Sequence, residues 1–188
     1  PSYIWLIGGF FVCGFHVAFI QVHLPAYLKD NGLPAWLAAT SLALVGGFNI
    51  IGSFAAGWIG GRWSKKYALS AIYFARSAAM IALLVIPLSV PLVLVFSAVM
   101  GLLWLSTVPL TSGLVAQFFG VRYMATLFGF VFFSHQIGAF LGAWMGGKLY
   151  ALTGNYDLSW YVAIGLGVVA AVAHFPIREA PVERLANA

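Results

Sequence analysis

Ile51-Gly52-Ser53-Phe54-Ala55-Ala56-Gly57-Trp58-Ile59-Gly60-Gly61-Arg62 comes back later in the chain as Ile137-Gly138-Ala139-Phe140-Leu141-Gly142-Ala143-Trp144-Met145-Gly146-Gly147-Lys148. The copies coincide at Ile51/Ile137, Gly52/Gly138, Phe54/Phe140, Trp58/Trp144, Gly60/Gly146 and Gly61/Gly147, and each closes on a base. A glycine-rich apolar segment that occurs twice, with a base at the same place, marks a chain assembled from two versions of one unit.

The surroundings of the two copies say what the unit is made of. Of 188 residues, 63% are hydrophobic and 7% charged, whereas an ordinary soluble domain is about 25% charged. Mean hydropathy is +1.00. The apolar residues fall in runs of roughly 20, about the length that crosses the hydrocarbon layer as a helix. Lipid offers backbone amides no partner, so a span must be a helix or part of a closed barrel, and a barrel's alternating pattern is missing. Six spans are predicted, at 3–28, 36–60, 67–88, 92–114, 124–150 and 158–175. Short segments join them: Lys29-Asp30-Asn31-Gly32, Arg62-Trp63-Ser64-Lys65-Lys66, Ser89-Val90-Pro91, Gly120-Val121-Arg122 and Thr153-Gly154-Asn155-Tyr156-Asp157. Turn residues dominate these links, and links this short make neighbouring helices antiparallel. The fold class is therefore an all-α membrane protein, a six-helix transmembrane bundle over 1–176 with a polar tail at 177–188. From Arg178 onward, the tail reads as a frayed terminus.

The net charge of +5 comes from loop and tail bases, so it reports on membrane orientation and gives no sign of nucleic acid. Arg62, Lys65, Lys66, Arg122, Arg178 and Arg184 fall on one side, with only Lys29 and Lys148 on the other. By the positive-inside rule the first side is cytoplasmic, the C-terminus with it, as expected of a protein in a bacterial plasma (inner) membrane. Cys13 is the single cysteine and has no partner for an internal disulfide. Because the chain opens on Pro1 with no signal-peptide pattern, it is expected to be part of something longer, joined at Pro1 to a preceding segment.

The two copies are the second and fifth spans, so they are the middle members of three-helix units, 3–88 and 92–175, that run in opposite senses. That is an inverted repeat, the architecture of secondary transporters. Pro25 and Pro109 stand near the ends of the first and fourth spans, where each is expected to kink its helix. Gly52, Ala56 and Gly60 share one helix face, as do Gly138, Gly142 and Gly146. Such small-residue ladders let backbones approach closely. They read equally as a gating contact that slides between bundle halves and as static packing within one half, with Arg62 at the end of the first.

Gly57-x-x-x-Gly61-Arg62-Trp63-Ser64-Lys65-Lys66 resembles the cytoplasmic signature loop of the major facilitator superfamily, in the form found between its eighth and ninth helices. Gly61 stands where that signature usually has an aspartate. Gly14-Phe15-His16, His23-Leu24-Pro25-Ala26-Tyr27-Leu28 and the stretch from Gly147 to Tyr156 resemble its monocarboxylate and oxalate/formate porter branches, with Ala151 where an acidic residue is common. The resemblance implies that the chain is the C-terminal six-helix half, needing an N-terminal six-helix half as partner. It also implies that spans one, two, four and five line a central cavity while three and six are peripheral. The substrate it implies is a small organic anion, a monocarboxylate or dicarboxylate, moved by symport or antiport with protons a possible coupling ion.

Within that frame the candidate residues follow from helical spacing. Gly9, Cys13, His16, Ile20, His23 and Tyr27 form one stripe of the first span, the only stripe there with titratable groups. His16 and His23 read as substrate or coupling residues, or as donors to a neighbouring helix. In the repeat, Asn49 falls opposite His135, each near mid-membrane, where a polar side chain needs a partner or water, and the symmetry makes them candidates for a shared central substrate site, with His135 also a coupling candidate. Ser97, Trp104, Thr107 and Thr111 share a face of the fourth span, with Trp104 placed to shape an organic substrate or simply to fill the core. Arg76, inside the third span, must find a partner; it reads as an anion site or as a structural arginine satisfied by carbonyls, by the missing half or by snorkelling towards the cytoplasm. No cofactor and no metal site is expected. An intramembrane serine protease would need a Gly-x-Ser-Gly elbow, and the nearest approach is Thr111-Ser112-Gly113. His16 and His23 are seven residues apart with no helical carboxylate, a poor metal set. Besides transport there remains a non-transporting scaffold or sensor, which leaves the inverted repeat unexplained.

Overall fold

The structure, a computed structural model, describes residues 1–182. Its helices are α1 (Ser2–Asp30), α2 (Ala35–Arg62), α3 (Lys65–Val85), α4 (Val90–Leu103), α5 (Thr107–Phe119), α6 (Val121–Thr153) and α7 (Asp157–Ala173). Because α4 and α5 are two halves of one apolar crossing, Val90–Phe119, the chain makes six crossings. Five are long and apolar enough to span a membrane, and α7, at 17 residues, is a shorter apolar helix. At 1.5 Å per residue α7 is roughly 25 Å long, close to the lower limit for spanning. Gly32, Gly120 and Gly154 turn the chain at helix ends with φ of 73–75°, backbone that side chains rarely tolerate.

The repeat is visible in the packing. The most extensive pairing is α1 with α6, and the next is its counterpart, α2 with α4. A Cβ at Gly138 would run into the carbonyl oxygen of Phe11, and one at Gly52 into that of Leu102. Phe11 and Leu102 are therefore equivalent positions. Three residues further on, Gly14 lies against the backbone of His135, and Leu105 donates its N–H to Asn49 Oδ1 at 3.0 Å. Asn49 and His135 each precede their matched glycine by three residues, so equivalent positions meet equivalent positions in both halves of the pseudo-two-fold.

The copies also show two faces. Gly52 and Gly60 pack on Leu102 and Leu110, and Gly138, Gly142 and Gly146 on Phe11, Phe15 and His23, all within this bundle. Both ladders therefore face helices of this bundle. The other matched residues, Ile51, Phe54 and Trp58 on α2 and Ile137, Phe140 and Trp144 on α6, lie on the outer surface, with Phe54 79% and Phe140 65% exposed.

Two apolar clusters fill the interior. One, around Phe19, Leu24, Phe96 and Trp160, sits toward the 30–35 end; the other, around Leu6, Phe10, Leu69, Leu114 and Phe118, sits toward the basic end. The expected frayed tail is instead docked as far as residue 182. Glu179 Oε1 accepts from Ser64 Oγ at 2.7 Å and from the Lys66 N–H at 2.6 Å, at the start of α3. Gln117 Nε2 donates to the Glu179 carbonyl at 2.8 Å, Arg178 N to Ser2 Oγ at 3.0 Å, and Val182 N to Phe118 O at 2.9 Å. These bonds gather the ends of α1, α3, α5 and α7 on one side, the side of Arg62, Lys65, Lys66, Arg122 and Arg178. Arg184 lies outside the described residues.

Candidate functional site

Pro25 leaves α1 continuous, whereas Pro109 comes with a break at 104–106 in the fourth crossing. Proline lacks the N–H that Leu105 O would accept, and the chain tightens on both sides to compensate. Trp104 N turns to Gly101 O at 3.1 Å and Val108 N to Leu105 O at 2.9 Å, bonds of three-residue span. That strands the Leu105 N–H and the carbonyls of Leu103 and Trp104 in the interior, where an unsatisfied group costs about 1–3 kcal/mol.

Each stranded group has a side-chain partner from a different helix. Asn49 on α2 accepts from Leu105 N–H. Arg76 on α3, fully buried, donates from Nε to Leu103 O at 3.1 Å and from Nη2 to the same oxygen at 2.5 Å, with Nη2 also on Trp104 O. Its guanidinium faces the Tyr73 ring at 5.4 Å. Among the described residues no carboxylate bonds to it, so these carbonyls, the negative end of α4, hold a strong charge buried between the spans. Arg76 thus has carbonyl partners, and of its nitrogens only Nη1 lacks a partner among the described residues.

The remaining candidates separate into two groups. His16 Nε2 meets Ala163 O of α7 and His23 Nε2 meets Ala143 O of α6, both at 2.8 Å. Both histidines are buried and bonded to neighbouring helices. Trp104 is a member of the first apolar cluster, Thr111 is buried, and Ser97 is bonded to Val93 O within α4. The second group meets at the break. Thr107, the first residue of α5, lies 3.2 Å from Cys13 Sγ, and His135 sits beside Cys13 across the α1/α6 contact. His135 stacks on Phe132, centroids 5.4 Å apart, and its Nδ1 is 3.3 Å from Oε1 of Gln136, an exposed amide in the middle of α6. Its Nε2 has no partner among the described residues. Sequence reasoning passed over Gln136; a lone amide next to a mid-span histidine was the available signal. Among the described residues no group of three or more His, Cys, Asp and Glu side chains is placed to hold a metal.

Residues 1–143 match the sequence model of the Major Facilitator Superfamily. The chain belongs to the major facilitator superfamily. The chain is 30% identical over 181 residues to YcxA of Bacillus subtilis (strain 168), described as an uncharacterized MFS-type transporter, covering 89% of this chain and 42% of that protein. Monocarboxylate transporter 13 of Rattus norvegicus is 27% identical over 160 residues, 82% of this chain and 37% of its own length. Monocarboxylate transporter 12-B of Danio rerio is 26% identical over 166 residues, 87% and 35% respectively. The chain thus spans about two fifths of these curated relatives. Six crossings in two inverted three-helix units are half of a major facilitator fold, and the protein is an integral membrane member of a transporter family.

Proposed function

We propose that this chain is the C-terminal half of a secondary transporter that moves a small organic anion, a monocarboxylate or dicarboxylate, by alternating access between two bundle halves. The observation that carries the reading is the broken fourth crossing. Interrupted spanning helices place backbone dipoles at mid-membrane in transporters, and here the break lies beside Thr107, Cys13 and His135 with the Arg76 charge behind it. A buried positive charge held by carbonyls, with no carboxylate bonded to it among the described residues, favours an anion bound near the break. Gln136 and His135 would meet that anion from α6, and Asn49, engaged on the break, would act through the backbone of Leu105. The monocarboxylate transporters among the relatives support the substrate class. The basic end is taken as cytoplasmic and the membrane as a bacterial plasma membrane.

The test is uptake by the full-length protein in proteoliposomes, driven by a substrate gradient and screened with labelled mono- and dicarboxylates. Exchange of an internal for an external carboxylate supports the reading. Carboxylates that neither move nor protect the protein from heating, alongside a neutral or cationic solute that does, would refute the anion assignment. Transport of no solute, with ligand binding retained, would favour a sensor.

A further inference from the structure

We propose that the groove between α2, α3 and the broken crossing binds an acidic glycerophospholipid, an acyl chain lying in the groove and the phosphate on Arg62 and Lys65. The cavity has a volume of about 450 Å³ and is walled by small and apolar side chains, among them Ala55, Ile59, Ala71, Ala75 and Leu103. Ala55, Ala71 and Leu102 are exposed, so the groove opens sideways. A helix face repeats every three to four residues, so the wall Gly52, Ala56, Ile59 continues to Arg62, and the wall Ala75, Ala71, Ala68 runs back to Lys65. Both walls therefore end on a base at the same end of the molecule. From Gly52 to Arg62 the rise is roughly 15 Å, a depth suited to a hydrocarbon chain.

The two bases are available to an anion. Arg62 is exposed, with its guanidinium carbon 4.2 Å from the centroid of the Trp58 ring, a contact that engages the face of the guanidinium and uses none of its N–H donors. Among the described residues the guanidinium makes no hydrogen bond. Lys65 lays its stem along Gly60 and Gly113, and among the described residues Nζ reaches only Gln117 Oε1, at 3.4 Å, beyond the usual range for a strong bond. The one carboxylate at this end among the described residues, Glu179, is occupied by Ser64 and the Lys66 N–H. Trp58 and Trp63, 55% and 59% exposed, mark the level of the membrane–water interface. An apolar helix from another part of the protein would fill the groove without calling for two bases at its mouth, and a soluble phosphate would not call for the groove. A lipid with an anionic headgroup uses both.

Native mass spectrometry of the full-length, delipidated protein, titrated with phosphatidylglycerol and with phosphatidylcholine of the same acyl chains, tests the proposal. Phosphatidylglycerol should bind more tightly. R62Q/K65Q should weaken it roughly thirtyfold and each single variant about fivefold, as two bases near an anionic surface imply. Arg122→Gln, at the same end but away from the groove, should leave binding unchanged. Ala71→Leu with Ala75→Leu, which fills the groove, should weaken both lipids. Equal binding of the two lipids would overturn the proposal, as would wild-type phosphatidylglycerol binding by folded single variants. So would displacement of phosphatidylglycerol by soluble glycerol phosphate at equal concentration.

Discussion

Replacing Gly142 by alanine tests the packing of the repeat more directly than any other change. A Cβ there would sit 3.0 Å from the carbonyl carbon of Phe15 and 3.1 Å from its Cα, and closer still to its carbonyl oxygen. All three are backbone atoms of α1, so no rotamer change relieves the overlap, and α1 and α6 must move apart along the most extensive helix contact in the bundle. Overpacking costs about 1–3 kcal/mol, and a rigid obstacle places this case in the upper half, about 2–3 kcal/mol. If this bundle unfolds as one unit, the melting temperature of the purified full-length protein should fall by roughly 4–12 °C. Gly129→Ala, on the same helix with nothing within 4 Å, should be neutral or stabilise by about 0.5–1 kcal/mol. Scanning fluorimetry of both variants in one detergent decides the matter. Equal melting temperatures would refute the packing argument. Normal stability of Gly142→Ala with lost uptake would put the residue at a moving contact between halves.

Gly52→Ala, meeting Leu102 O in the symmetry-equivalent place, should destabilise by a similar amount in the same assay. Arg76→Met leaves the Leu103 and Trp104 carbonyls without a side-chain donor and should cost about 2–4 kcal/mol, with Arg76→Lys intermediate; a wild-type melting curve for the methionine variant would show that the break is satisfied in another way. His135→Gln should flatten the pH dependence of carboxylate uptake, which is expected to rise as the external medium is acidified and an imidazole facing the anion gains its charge. His16→Gln, whose partner is the Ala163 carbonyl, should alter stability and leave the shape of that pH profile alone. Cysteines placed at Ser64 and Gly120 should resist membrane-impermeant labelling from outside in sealed cells, while those at Asn31 and Asn155 should react; the reverse pattern would invert the orientation.

Composition and the length of the apolar runs determined that the chain is helical and membrane-spanning, because lipid leaves the backbone almost no other way to satisfy its amides. The recurrence of Ile-Gly-x-Phe with Trp-x-Gly-Gly likewise determined the inverted repeat, since a span's direction follows from the number of crossings before it. Helical spacing alone could not say which face of each copy turns inward. Gly52 and Phe54 are equally part of the motif, and only the seating of α2 against Leu102 assigns the glycines to the interior and the aromatics to the surface. The same limit explains the stripe on α1, where spacing joined His16 to His23 but the partners lie on α7 and α6. Arg76 shows the division most clearly. The sequence required a partner for a charge buried among apolar residues, because desolvation makes an unpaired one too costly. That the partners are carbonyls freed beside Pro109 depends on bringing three helices together, a long-range arrangement that no local pattern encodes.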